Sequence, residues 1–90
     1  MYTLRPTSRY KKDLKAMLKE GKDIKKLTVV VDKLLAGEVL DKKYLDHSLK
    51  GNWANHRECH IEPDWILIYA KNENTLVLTA VRTGHHDKSL

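Results

Sequence analysis

The spacing of apolar residues changes character once along this chain, from a helical period in the first half to a strand-like one in the second, and that order restricts the folds open to it. From Arg9 to Glu20, Tyr10, Leu14, Met17 and Leu18 recur three or four apart, Lys11, Lys12, Lys15 and Lys19 fill the other side, and Gly21 is placed to stop the helix. A second amphipathic helix is predicted from Asp23 to Ala36, with Ile24, Leu27, Val31, Leu34 and Leu35 on one stripe, Asp23 as N-cap and Gly37 as the stop. The run Val29-Val30-Val31 is the part least suited to a helix. A short extended piece, Tyr2 to Arg5, precedes both helices and ends at Pro6. Later in the chain Ala54 to Ile61 alternates, Trp65 to Ala70 is apolar on both faces like a central strand, and Thr75 to Arg82 is a third β-rich run. Glu62-Pro63-Asp64 and Asn72-Glu73-Asn74 read as the turns between them. Glu38 to Asn52 has no period and reads as a long surface loop.

The order β-α-α-β-β-β predicts an α+β fold, a mainly antiparallel four-stranded sheet with two helices packed on one face. Ninety residues leave room for one domain, spanning 1–90, and a hydrophobic fraction of 41% suffices for its single core. The uncovered face of the sheet is where a site belongs. No apolar stretch approaches the roughly 20 residues a membrane span needs, and Met1 to Arg5 is no secretory leader. Cys59 is alone, so no internal disulfide forms, and a reducing cytoplasm is expected. The 17 Lys and Arg against 12 Asp and Glu give a formal charge of +5, which favours polyanionic or acidic partners.

Alternation on the strand from Ala54 puts His56, Glu58 and His60 on one face and Arg57, Cys59 and Ile61 on the other, with Cys59 and Ile61 facing the core. Asp64 follows in the turn, His47 lies in the preceding loop, and Arg82, His85 and His86 come at the end of the last run. Histidine suits general acid–base work near neutral pH, and arginine supplies a permanently charged fork for a phosphate. RNA cleavage needs those parts: a base for the 2′-OH, an acid for the departing 5′-oxygen and a cation on the phosphate. Each residue also has an ordinary reading. A single His is more often a hydrogen-bonded bystander than a catalyst, and Trp65 either stacks on a base or simply anchors the strand it opens. Zinc held by His56 and His60 with His85 or His86 finds no Cys pair in support and a poor chelate spacing, so no metal is expected. The lysine stripe of the first helix is a solvated face that also attracts phosphate or an acidic partner. Cys59 is not a nucleophile if alternation buries it.

Three blocks, Asp46 to Trp53 ("DH.LKG.W"), Arg57 to Tyr69 ("RE.HI.PDW.L.Y") and Arg82 to His86 ("R.G.H"), closely resemble the YafQ branch of the RelE/ParE toxin superfamily. The resemblance covers the second half of the chain closely and the β-α-α order of the first half more loosely. It implies a type II toxin that enters the ribosomal A site and cuts mRNA, held inactive by an acidic antitoxin of the DinJ/RelB kind encoded beside it, with DNA met only through that antitoxin. Carried over by position, the catalytic set is His47, His60, Asp64, Arg82 and His86, with Trp65 beside them in the pocket. In that mechanism one His or Asp64 deprotonates the ribose 2′-OH, a second His protonates the 5′-oxygen and Arg82 steadies the phosphate, without metal or cofactor. His86 is the expected acid and His60 a candidate base. Lys50 and Arg57, within the matched blocks, join Trp65 and Leu90 as expected RNA contacts. Leu90 stands where the family has a Phe, and Leu cannot stack on a base. His85 is an extra imidazole to which the resemblance gives no role. Two other readings remain, a ParE-like inhibitor that binds DNA gyrase on the same fold, and an inert RNA-binding domain with a steep salt dependence.

Overall fold

The helix signals act where the spacing places them. A computed structural model of the protein describes residues 1–86, in which helix α1 spans Ser8–Lys19 and helix α2 spans Ile24–Leu35. Thr7 caps α1 by accepting the Tyr10 N–H at its Oγ1, and Asp23 caps α2 by accepting the Lys25 N–H. After α1 the backbone of Gly21 turns left-handed, φ +84°, and the Lys22 N–H returns to the Met17 carbonyl. The valine run stays helical because Val30 and Val31 are buried in the core with Leu27 and Leu34, and burial outweighs the modest helix preference of valine.

The strands are β1 (Thr3–Pro6), β2 (His47–Ser48), β3 (Arg57–Glu62), β4 (Trp65–Asn72) and β5 (Val77–His85), arranged β1-β5-β4-β3-β2. All neighbours are antiparallel except β1 and β5. The sheet therefore has five strands rather than the expected four. The additional one lies in the stretch read as loop, where His47 pairs with Glu58 and Ser48 with Arg57, between two 3-10 turns at Lys42–Tyr44 and Gly51–Trp53. Two residues are too few for a period of two to register in the sequence.

The core lies between the helices and one face of the sheet, with Leu27, Leu34, Trp65, Leu67, Tyr69 and Leu78 among its most buried members. Across the β4–β5 ladder the register shifts, so that Tyr69 pairs with Ala80 while the preceding Ile68 pairs with Arg82. Val81 is the extra residue of this bulge, and it reverses the facing of the rest of β5. Leu78 and Ala80 are core residues before the bulge; Thr83 and His85 share that helix-covered face after it, and Arg82, Gly84 and His86 pass to the other. β1 pairs with β5 only as far as Ala80, and α1 lies beside the remainder. There Thr7 Oγ1 donates to the Val81 carbonyl, and the Thr83 N–H donates to Asp13 of α1. Among the described residues no helix is long and apolar enough to cross a membrane.

Candidate active site

Two cross-strand rows build the site on the face away from the helices. One runs His47, Glu58, Ile68, Arg82 across β2, β3, β4 and β5, and the other runs His60, Ile66, Gly84. His86 follows directly after β5 and its ring lies 5.1 Å, centroid to centroid, from that of His60. Between the polar rows Ile66 and Ile68 are almost fully buried and give this face an apolar floor.

Glu58 is the centre of the arrangement. Its Oε2 lies 3.4 Å from Nε2 of His47, 3.6 Å from Nε2 of His60 and 3.8 Å from Nε2 of His86, and the residue is buried. Two of the rings are oriented by main-chain carbonyls: His47 Nδ1 is 2.6 Å from the Leu45 oxygen and His60 Nδ1 is 3.1 Å from the Pro63 oxygen. A carbonyl only accepts, so Nδ1 carries the proton in both rings, and Nε2 is the nitrogen that faces the Glu58 carboxylate. Leu45 supplies its carbonyl from a left-handed backbone, φ +50°, that leucine rarely adopts. These three Nε2 to Oε2 separations exceed an ordinary hydrogen bond. They do match the edge of a coordination shell, since metal bonds of about 2.0–2.1 Å place the ligand atoms of a tetrahedral ion about 3.4 Å apart. Glu58, His60 and His86 offer three ligand atoms within 4.8 Å of one another, so this chain has residues that fit a transition-metal ion, where the sequence pointed to none. His56, the residue the zinc reading leaned on, is elsewhere, with Nδ1 near the Ala54 oxygen and its ring edge against Trp53.

The other expected site residues divide. Arg82 starts from the right face, but its guanidinium turns over the sheet edge to Asp13, with Nε 2.7 Å and Nη2 3.1 Å from the carboxylate, and this pairing raises its pKa further. Asp64 lies in the β3–β4 turn, where its carboxylate accepts from His85 at 2.8 Å and its carbonyl accepts the His86 N–H. Trp65 is not in the pocket. Its ring is fully buried on the helix side, where Nε1 donates to Thr83 Oγ1, and an indole packed there has no face to offer a base. Arg57 also belongs to the helix side, opposite Tyr69 in register, and is held by Asp46 and Ser48 rather than presented to the imidazoles. Lys50 is exposed beside β2, and Leu90 lies outside the described residues. Burial pushes the Cys59 thiol up to about 12, so it is no nucleophile.

Glu58 and Asp13 are the residues that sequence reasoning did not single out. Alternation with His60 marked the face of Glu58, but nothing in the sequence set it apart from a solvent-facing acid; Asp13, on a lysine-rich helix, carried no signal. Beside His60 an apolar-lined groove of about 490 Å³ opens between α2 and the Lys42–Tyr44 turn, bordered by Lys26, Val29, Tyr44, Leu45 and Pro63.

Residues 2–89 match the family described as "Bacterial toxin of type II toxin-antitoxin system, YafQ". The mRNA interferase toxin YafQ of Escherichia coli K12 is 40% identical over 81 residues, 89% of this chain and 86% of that protein. A metal-bound toxin from Helicobacter pylori superposes with a TM-score of 0.92 at 39% identity, covering 100% of both chains. YafQ in the E. coli DinJ–YafQ complex superposes with a TM-score of 0.87 at 34% identity, over 96% of this chain and 94% of that one. A match along nearly the whole chain, joined to this fold, makes the protein a member of the YafQ family of bacterial type II toxin–antitoxin toxins.

Proposed function

We propose that the protein is a ribosome-dependent endoribonuclease that cleaves mRNA in the ribosomal A site and so stops translation in the cytoplasm. The observation that carries this reading is the convergence of His47, His60 and His86 on the Glu58 carboxylate, a set of proton-transfer groups on an exposed face of a basic protein. His60, beside Glu58, takes the ribose 2′-OH proton; the 2′-oxygen attacks phosphorus, the bond to the 5′-oxygen breaks, and His86 returns a proton to that oxygen. The products are a 2′,3′-cyclic phosphate and a free 5′-hydroxyl, and the proton count balances without a cofactor. His47 and Lys50 flank the path of the phosphate, and Arg82 joins them where the phosphate competes with Asp13 for its fork. The groove beside His60 has the size and apolar lining to take a nucleoside next to the scissile bond.

The reaction is metal-independent in this reading. The H. pylori toxin is metal-bound, and here Glu58, His60 and His86 would hold such an ion, which would supply Lewis acidity to the phosphate. It would also occupy the nitrogens that move protons, so added zinc should inhibit cleavage and a chelator should leave it intact. E. coli YafQ forms a complex with DinJ, and a +5 domain is a natural target for an acidic antitoxin that folds on binding. The deciding experiment is primer extension on ribosomes carrying a defined mRNA, with wild type and His86→Ala. Cuts confined to A-site codons, dependent on the ribosome and absent with the variant, support the proposal; intact mRNA under an occupied A site overturns it.

A further inference from the structure

His47 reaches the Glu58 carboxylate from a strand too short to hold it. β2 has two residues, lies at the edge of the sheet and pairs only through His47 with Glu58 and Ser48 with Arg57. What secures the segment is on the other face. Successive side chains of an extended chain point to opposite sides, so Asp46 and Ser48, the neighbours of His47, both reach the helix-covered side. There one guanidinium takes both of them: Arg57 Nε and Nη2 donate to Asp46 Oδ2 at 3.2 and 3.0 Å, and Nη1 donates to Ser48 Oγ at 2.9 Å. Tyr69, fully buried on β4, donates its hydroxyl to the other Asp46 oxygen, Oδ1. We infer that Asp46, Arg57 and Tyr69 are positioning residues, an anchor beneath the sheet that fixes His47 by pinning the residues before and after it; its bearing on cleavage rests on the nuclease reading above.

The anchor refers His47 to the core rather than to the loop it sits in. Tyr69 belongs to the core cluster and lies opposite Arg57 in the β3–β4 register, so both donors to Asp46 stand on long, paired strands. The planar guanidinium is a rigid fork, and its bonds to an ionised carboxylate are stronger than those between neutral groups. With the backbone held from below, the freedom left to His47 is mainly rotation of its ring. The Leu45 carbonyl removes that too, lying 2.6 Å from Nδ1 and leaving Nε2 at 3.4 Å from Glu58 Oε2. A side chain fixed in this way needs no ordering when a phosphate arrives, and a displacement of about 1 Å costs up to about 10²-fold in rate. The arrangement also gives Arg57 a part in the site without any contact with RNA.

The test joins imidazole-ring NMR at a single pH to cleavage kinetics, both on the full chain. Tyr69→Phe removes one hydroxyl from the anchor and keeps the ring in the core, while Arg57→Gln removes the fork without touching the core. In both variants the His47 ring signals should shift and broaden. Leu67→Ala, which loosens the same face but none of these hydrogen bonds, should leave them as in wild type. Unmoved His47 signals in either anchor variant overturn the anchor. On programmed ribosomes Tyr69→Phe should lower kcat about tenfold and leave KM within about twofold. In a His47→Ala background the same substitution should change nothing further. Equal losses in the two backgrounds overturn the link to His47, whatever the stability of the variants. If the wild type cuts no mRNA, the nuclease reading falls, while displaced His47 signals in Tyr69→Phe still support the anchor.

Discussion

The two faces of the sheet are built on opposite principles. Toward the helices, apolar side chains close over the few polar groups and each of those has a partner: the Trp65 N–H meets Thr83 Oγ1, whose own proton goes to the Ile66 carbonyl, and among the described residues no buried side-chain N or O is left unpaired. On the other face three imidazoles stand around one carboxylate at distances longer than hydrogen bonds. The first arrangement gains stability from burial. The second leaves imidazole nitrogens unsaturated, as the proposed acid–base cleavage requires.

One residue keeps the two faces distinct. Val81 is the bulge that sends Leu78 and Ala80 to the core but Arg82 and His86 to the polar face, so deleting it should exchange the faces of residues 82–86. Arg82 and His86 would then point into the apolar layer and Thr83 and His85 away from it. The burden of desolvated charge exceeds the roughly 5–15 kcal/mol that holds a domain together, so the deletion variant should show no cooperative thermal transition. A sharp transition near that of the wild type would show that the facing is set by something other than the bulge.

Single substitutions should separate the faces cleanly. His86→Ala is expected to lower cleavage by about 10²–10⁴-fold while shifting stability by less than about 0.5 kcal/mol, since the residue is exposed. Leu67→Ala, on the packed face, is expected to cost about 3 kcal/mol in chemical denaturation and to leave kcat at low temperature within about twofold. If stability and turnover fell together in both variants, the division of labour between the faces would be wrong.

The same contrast explains what could be read in advance. The helices, their caps and the three long strands each leave many residues in one period, and their order follows from the sequence with errors of only a few residues at the ends. β2 leaves two residues and no period, and the β5 bulge leaves none, because a bulge is a misfit between two strands and neither strand carries it alone. His47, His60 and His86 could be named from their chemistry and from the family resemblance, but not their common partner: Glu58 gains its meaning from three segments arriving around it. Trp65 shows the reverse error, a residue placed in the pocket by the family resemblance and found in the core, as the strand anchor that the residues alone also allowed, because the face of β4 decides its environment.

Between the faces, at the sheet edge, Asp13 tests how independent they are. Its carboxylate takes two bonds from Arg82, which starts on the polar face, and one from the Thr83 N–H of the β5 edge. Asp13→Asn keeps an acceptor but loses the charge and one arm of the fork, and unfolding in urea should report a loss of about 1–2 kcal/mol. If Arg82 serves the phosphate only after leaving Asp13, the variant should also bind RNA more tightly at low salt; unchanged binding would confine Arg82 to a structural part.

The smallest effect is expected where the bridge is most exposed. Glu62, at the end of β3, joins the sheet to the start of α2 through Lys26 at 2.8 Å and Lys22 at 3.1 Å, and these two lysines hold its carboxyl below the usual range, Lys26 contributing most. A lowered folded value means that the contribution is present above the ordinary carboxyl pKa and is lost as pH falls through the lowered one. Solvent screening limits it to about 0.5 kcal/mol, so Glu62→Gln should lower Tm by about 2–4 °C at neutral pH. The difference from wild type should shrink in high salt and vanish once pH falls below the lowered value, where both carry a neutral side chain. A gap that persisted in acid would mean that Glu62 supports the joint through packing of its stem, and the link between the faces at this end would be apolar rather than ionic.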